Sequence, residues 1–368
     1  MAAAQGGVRR VLIAGGGTGG HLFPGLAIAE AILRRHPRAD IRFVGSRYGI
    51  EQRVVPERGF RLYRIPVRGL YGVSWRRRLW VLAMLPLACL KCLAILAAFR
   101  PQLVIGVGGY ASGPMVASAL LARRLTVLQE QNAYPGLTNR WLGRFVRLAF
   151  VPFEGLEAFF PRAVVVGNPV RSVILALREQ QPKGSRTPLV FVFGGSQGAH
   201  VINEAMVEAL PLLKEWVEGR GRGLAILHQT GPAEHARLRE AYERAGLDGE
   251  AKPFIEDMAD AFRRCTLVVG RAGASSVTEI VAARRASLLI PIPGASGEHQ
   301  LKNAQRLEAA GAAVVLEQRE LSGRALAARL IELLEAPKTL EAMEAATDKL
   351  FAGDSALRIV EECEALLG

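Results

Sequence analysis

The sequence predicts an α/β fold of two doubly wound, parallel-sheet domains, and three observations carry that reading. The chain has 368 residues, more than a typical domain of about 100–200. Apolar strand, glycine-rich loop and helix recur in that order along it. The same order then restarts half-way along the chain. Half of the residues are hydrophobic and 22% are charged, which suits a chain with a substantial core and excludes a disordered one.

The elements follow in order. VRRVLIA (8–14) breaks at GGGTGG (15–20), and 22–33 then reads as a helix. IRFVG (41–45), LVIGVGGY (103–110) and LTVLQEQN (125–132) are further strands running into glycine or polar loops. Strands that alternate with helices imply a parallel sheet. PLVFVFGGSQGAH (188–200) repeats the opening device, followed by a helix over 201–213. LAILHQTG (224–231), TLVVGRAGASS (266–276) and ASLLIPIP (286–293) supply the second set of strands. The predicted domains are 1–170 and 171–345, joined near GNPVR (167–171) and the polar stretch 179–188, with 346–368 as a terminal helix.

The apolar stretch 79–99 has the length of a membrane span. Pro86 and Lys91 interrupt it, and a span inside an α/β domain would split its sheet. A buried helix with one exposed apolar edge is the better prediction. Its flank SWRRRLW (74–80) places Trp75, Arg76, Arg77, Arg78, Leu79 and Trp80 together. Tryptophan favours the bilayer interface, and each basic residue near anionic lipid contributes about 1 kcal/mol. This flank is therefore a predicted docking surface that rests on an anionic membrane without crossing it.

Charge is unevenly spread. Residues 1–150 hold 22 Lys and Arg against 5 Asp and Glu, whereas the remainder holds 25 against 29. Such segregation points the first half at an anionic surface or polymer. No aromatic-interleaved basic motif of a nucleic-acid reader occurs, so no nucleic-acid partner is expected. The four cysteines, Cys89, Cys92, Cys265 and Cys363, are too few for a disulfide scaffold, and the lone CxxC lacks a second ligand pair. They read as small core residues of a reducing compartment. MAAAQGGVRR lacks the apolar core of a signal peptide, so no secretory leader is expected.

A strand that ends in glycines and opens a helix aims backbone N–H groups at one point, and the missing Cβ lets a phosphate approach. Gly15, Gly17 and Gly20 satisfy GxGxxG. A dinucleotide site also wants an acid at the end of the second strand, but that strand ends in Gly45, Ser46 and Arg47. No GxxxxGK[ST] is present, so a P-loop NTPase is unsupported. His21 follows the first loop at the edge where α/β proteins bind ligands, and an imidazole suits removal of a hydroxyl proton. His200 holds the matching place in the second loop with a weaker claim. In RAGASSVTEI (271–280), Ser275 and Ser276 could cap a helix starting at Val277, with Glu279 in its first turn. Alternatively, small residues there open a nucleotide pocket in which the carboxylate accepts both ribose hydroxyls. No DxD pair suits a metal–diphosphate, so no cofactor or metal is expected. A departing diphosphate would then meet amides, helix dipoles and an arginine, for which Arg171 is a candidate.

Taken together, GGGTGGHLFPGLAIAE (15–30), IGVGGYASGP (105–114), EQNAYPGLTNRWL (130–142), VVGNPVR (165–171), GGSQGAHVIN (194–203), FIEDMA (254–259), RAGASSVTEI (271–280) and GEHQLKNA (297–304) resemble the MurG family of bacterial glycosyltransferases. These are the UDP-GlcNAc–undecaprenyl-diphosphoryl-MurNAc-pentapeptide transferases. The resemblance runs in order from about residue 10 to about 320. It implies a GT-B fold, two Rossmann-like domains facing a central cleft, with the C-terminal helix returning to the first. It implies inverting transfer of GlcNAc from UDP-GlcNAc to the MurNAc C4 hydroxyl of lipid I, giving lipid II, without a catalytic metal. The implied location is peripheral, on the cytoplasmic face of the cell membrane, with other cell-wall synthesis proteins as candidate partners.

The resemblance also implies residue roles. His21 matches the general base. Thr18, Gly19, Gly20, Asn132, Arg171, Ser196, Ile255, Ala274, Ser275, Ser276, Val277, Thr278, Glu279 and Gln300 match donor contacts. Among these, Ile255 lies beside uracil, Glu279 on the ribose and Gln300 on the sugar. Gly108, Gly109, Tyr110 and Ser112 match the loop for the acceptor diphosphate. Gln129 stands where the family often has His, and no role follows for it. A UDP-GlcNAc 2-epimerase shares the implied fold and donor, but it needs no lipid acceptor and no docking face. A basic nucleic-acid-binding protein would leave the glycine loops without a purpose.

Overall fold

A computed structural model describes residues 7–67, 75–132, 134–180, 187–195, 197–221, 223–294 and 299–368, with the side chains of 75–82 outside the described set. The chain divides into two compact units, Met1–Ser172 with Ala352–Gly368, and Val173–Phe351.

The first unit is a seven-stranded parallel sheet in the order β3-β2-β1-β4-β5-β6-β7. Its strands are β1 (Arg10–Ala14), β2 (Asp40–Gly45), β3 (Arg61–Arg64), β4 (Leu103–Gly106), β5 (Leu125–Gln129), β6 (Leu148–Val151) and β7 (Ala163–Val165). Val11, Leu12, Ile13 and Ala14 of β1 are all fully buried, because helices cover both faces of the sheet. On one face lies helix α1 (Gly19–Arg35), with α2 (Glu51–Glu57) following β2. On the other lie α3 (Trp75–Phe99) and α4 (Ser112–Leu121), which carries the chain towards β5; the short α5 (Leu137–Leu142) follows β5.

Helix α3 has the predicted character over its described side chains. Ala88, Cys92, Ile95, Leu96 and Phe99 are buried against β1, β2 and β4, while Leu87 and Leu90 are more than half exposed. Among the described residues, no helix is long and apolar enough to cross a membrane. All four cysteines are free, and only Cys89 is not buried.

A short helix, α6 (Ser172–Leu175), leads into the second unit, a six-stranded parallel sheet in the order β10-β9-β8-β11-β12-β13. Its strands are β8 (Leu189–Phe193), β9 (Ala225–Gln229), β10 (Asp248–Lys252), β11 (Leu267–Gly270), β12 (Ser287–Leu289) and β13 (Ala313–Val315). The intervening helices are α7 (His200–Arg220), α8 (His235–Ala245), α9 (Met258–Arg264), α10 (Ala274–Ala282) and α11 (His299–Ala310), and α12 (Gly323–Leu334) and α13 (Pro337–Ala346) follow β13. Ile202, Met206, Leu210 and Leu213 of α7 pack with Leu326, Leu330 and Leu333 of α12. The chain then returns to the first unit as α14 (Ser355–Leu367). There Ile359, Val360 and Cys363 join the core beside Leu22, Leu26 and Ile32 of α1. Arg34 bonds Asp354 at 2.8 Å, and Arg35 and His36 meet Glu364 at 2.7 and 2.6 Å.

In each sheet the strand order reverses beside its first strand, between β1 and β4 and again between β8 and β11. Doubly wound sheets bind ligands at the carboxyl ends of their strands at this switch point. Both glycine loops, 15–18 and 194–199, leave from there.

Candidate active site

In the first unit the loop after β1 and the segment after β4 are folded against one another. Gly108 and Gly109 have φ of +85° and +80°, a region that glycine occupies freely. A Cβ on Gly109 would overlap the Gly16 carbonyl, and one on Gly108 would lie 2.7 Å from His21 Nδ1. Tyr110 lies over Gly17, and its ring remains exposed. Thr18 is the residue before α1 and makes no side-chain cap bond. Gly19 and Gly20 open the helix, in its first turn. Ser112 is fully buried, and its hydroxyl faces Gly106 of β4.

His21 lies in the first turn of α1, half-buried, with Nδ1 2.9 Å from Gln131 Oε1. Asn132 is tied into the neighbouring loop by Glu130, a carboxylate 1% exposed. Glu130 Oε1 accepts from the backbone N–H of Gln131 and of Asn132 and from Asn132 Nδ2, each at 2.9 Å. Its Oε2 accepts from Gly136 N at 3.2 Å and Asn139 Nδ2 at 2.9 Å. Five donors thus satisfy a buried charge with no cation among them. Arg171 is buried, its guanidinium 4.7 Å from the centre of the Phe23 ring.

Sequence reasoning missed Glu51. The acid absent from the end of β2 arrives six residues later, on the first residue of α2, and it is fully buried. Its carboxylate accepts from Ser46 N and Ser46 Oγ at 2.8 Å and from Gly17 N at 2.7 Å. Glu51 therefore locks the first glycine loop and is itself fully engaged, so the Gly17 amide is not offered to a ligand.

In the second unit, Gln229 at the end of β9 does comparable work. Its Nε2 donates to Gly195 O at 2.8 Å, and its Oε1 accepts from Ile255 N at 2.7 Å. One buried amide thereby holds the second glycine loop beside Ile255. Ser196 of that loop lies outside the described residues. Behind it, His228 is completely buried, with Nδ1 2.9 Å from Tyr242 Oη and Nε2 3.1 Å from Asn203 Oδ1. Burial pulls its pKa down to about 3, so the ring is neutral.

Helix α10 begins at Ala274, with Gly273 before it and no side-chain cap. This corrects the expectation that Ser275 and Ser276 cap a helix starting at Val277. Both serines lie inside the first turn, and Glu279 lies beyond it, so dipole capping does not account for the acid. Ala274, Val277 and Glu279 are buried; Ser275, Ser276 and Thr278 are half-buried. Thr278 Oγ1 donates back to Ala274 O at 2.7 Å. Arg271, at the end of β11, donates from Nη1 to Ile290 O at 2.9 Å, and burial lowers its pKa to about 10. Gln300, on α11, accepts from Ile292 N at 3.2 Å. His200 does not parallel His21: it is the first residue of α7, largely exposed and 2.9 Å from Glu234.

The predicted docking residues Trp75, Arg76, Arg77, Arg78, Leu79 and Trp80 begin α3, and their side chains lie outside the described residues. Exposed apolar side chains that the sequence did not single out lie at Leu137, Trp141 and Phe145, on and just after α5, with the exposed Arg144 and Arg147 among them.

Two doubly wound sheets, each with a glycine turn at its switch point, are the architecture of the GT-B class, to which glycosyltransferases belong. Comparison with known proteins agrees. Residues 11–151 match the glycosyltransferase family 28 N-terminal domain, and 189–359 match the family's C-terminal domain. A protein of Anaeromyxobacter dehalogenans strain 2CP-C is 43% identical over 97% of this chain and 93% of its own length. One of Syntrophotalea carbinolica is 44% identical over 98% of this chain and 99% of its own. Both are named UDP-N-acetylglucosamine–N-acetylmuramyl-(pentapeptide) pyrophosphoryl-undecaprenol N-acetylglucosamine transferase. The crystal structure of Acinetobacter baumannii MurG superposes with a TM-score of 0.72 at 26% identity, covering 96% of this chain and 99% of that one. A Listeria monocytogenes UDP-N-acetylglucosamine 2-epimerase structure reaches 0.67 at 14% identity over 97% of this chain and 96% of its own, a likeness of fold alone. The chain belongs to the MurG family of N-acetylglucosaminyltransferases.

Proposed function

We infer that this chain moves GlcNAc from UDP-GlcNAc to the C4 hydroxyl of MurNAc in lipid I, forming lipid II with inversion at the anomeric carbon. The observation that carries this reading is an imidazole fixed at a switch-point loop, in a chain 43% identical over 97% of its length to a transferase of that name. His21 takes the C4 proton as the oxygen attacks C1 and the bond from C1 to the diphosphate breaks. Placing the groups beforehand removes much of the entropic cost. Amides at helix starts and Arg171 meet the charge on departing UDP without reorganising.

The donor is assigned to Thr18, Gly19, Gly20, Asn132, Arg171, Ser196, Ile255, Gln300 and the segment 274–279, with the Glu279 carboxylate accepting from both ribose hydroxyls. The acceptor diphosphate is assigned to Gly108, Gly109 and Tyr110. Its lipid would come from a membrane on which the basic first half rests. The docking face we propose combines the start of α3 with Leu87, Leu90, Trp141, Phe145, Arg144 and Arg147. We assign this face to the cytoplasmic leaflet, the location that the family resemblance implies.

The test mixes purified protein, sugar-labelled UDP-GlcNAc and a lipid I analogue, with labelled UDP-GalNAc as control. Label is expected in lipid from the GlcNAc donor alone; equal transfer from both, or none, contradicts the reading. Flotation should favour anionic over neutral liposomes, and equal recovery removes the docking face.

A further inference from the structure

We propose that Gln131 sets the tautomer of His21, holding the imidazole with its proton on Nδ1 so that Nε2 is the proton acceptor. This deepens the reading of His21 as the base and rests on it. Gln131 is 3% exposed, two residues beyond β5. Its Nε2 donates to the Val107 carbonyl at 2.9 Å. A backbone carbonyl can only accept, so the amide nitrogen must face Val107 and the amide oxygen must face His21.

The orientation is fixed more than once. Gln131 Nε2 also donates to Gln129 Oε1. Gln129 Nε2 in turn donates to Glu130 O at 3.0 Å and Asn168 Oδ1 at 3.2 Å. Asn168 Nδ2 donates to Gln131 O at 3.0 Å. Three side-chain amides are thus pinned by three backbone carbonyls, Val107, Glu130 and Gln131, and none can turn over without setting two acceptors against each other. The chain of bonds ends at Gln131 Oε1, which needs a donor 2.9 Å away on His21 Nδ1.

A neutral imidazole has one N–H. With that hydrogen on Nδ1, the lone pair is on Nε2. Free imidazole side chains in water favour the opposite tautomer, so the site must impose this one. Gly108, whose added Cβ would reach to 2.7 Å of Nδ1, leaves the ring its place and no more. An amide is also the fitting partner for a base that must release its proton at each turnover. A carboxylate there would hold the imidazolium, whereas the amide orients the ring without adding charge. Gln129 accordingly has a part as well: it secures Gln131.

The test is nitrogen NMR on protein labelled with ¹⁵N-histidine, in wild type and Gln131→Met, at a pH where histidine is neutral. The chain has six histidines, and His21→Ala assigns the signal. His36 in the same unit, bonded to Glu364, reports whether that unit stays folded. Wild type should carry its His21 proton on Nδ1. In Gln131→Met the proton should move largely to Nε2, with the His36 signal unchanged. Turnover should fall by about tenfold or more, with the donor KM within about twofold. A wild-type His21 protonated on Nε2 overturns the proposal without any variant. So does a tautomer that Gln131→Met leaves in place, or one that switches with no loss of turnover. Near-normal turnover in His21→Ala would instead remove the base reading on which the proposal stands.

Discussion

Glu130→Gln tests whether the buried carboxylate organises the loop that presents Gln131 and Asn132. The amide oxygen can keep the three bonds now made to Oε1, from Gln131 N, Asn132 N and Asn132 Nδ2. The new NH₂ then faces Gly136 N–H and Asn139 Nδ2, both donors. Asn139 can turn its amide over, because its Oδ1 is buried without a partner among the described residues. Gly136 N–H cannot. One bond to a charged acceptor is therefore lost for good, a cost of about 1.5–3 kcal/mol. At roughly 2–4 °C per kcal/mol for a unit of this size, the melting midpoint should fall by about 3–12 °C in calorimetry. The opposite amide orientation sets NH₂ against two backbone donors and costs more. A variant melting within about 1 °C of wild type would refute the account of this loop.

Three further outcomes follow from the same geometry. His228 is neutral when folded and protonates near its ordinary pH when unfolded, so the unfolded chain binds the extra proton; its stabilisation is complete above about pH 6.5 and is lost progressively towards pH 3, by about 1.4 kcal/mol per pH unit. Urea unfolding across that range should show a slope shallower by one proton in His228→Phe, and an unchanged slope would count against it. Gly108→Ala forces a left-handed backbone on alanine and pushes a methyl at His21, so kcat should drop about 10²-fold; a rate within about threefold of wild type shows that the ring is not held there. If Glu279 holds the ribose as proposed, Glu279→Ala should raise the donor KM about 10- to 100-fold, whereas an unchanged KM leaves the acid a structural residue.

The central strands were legible because their apolar runs carry the signal on their own: β1, β4 and β8 are buried on both faces. Outer strands were not. Strand β10 reads DGEAK and β3 reads RLYR, because an edge strand covered on fewer sides needs no continuous apolar run. Such strands are recognised only by what they pair with. The glycine turns, His21 and the α10 segment were visible as local motifs. Glu51, Gln131 and Gln229 were not, since each acts across space: Glu51 bonds a loop 34 residues away and Gln131 bonds a histidine 110 residues away. Glu130 bonds only residues up to nine positions on, but an isolated acid in a polar loop carries no sign that it is buried. The serines of α10 misled because Ser before an apolar run suits a cap, yet Gly273 takes that place.

Donor affinity and single-turnover rate, measured side by side in His21→Ala, bear most directly on the account. Binding of UDP-GlcNAc should stay within about threefold of wild type while transfer to a lipid I analogue falls by about 10²–10⁴-fold. Transfer reduced less than about tenfold, with binding intact, would mean that the imidazole is not the base and that the proton leaves by another route.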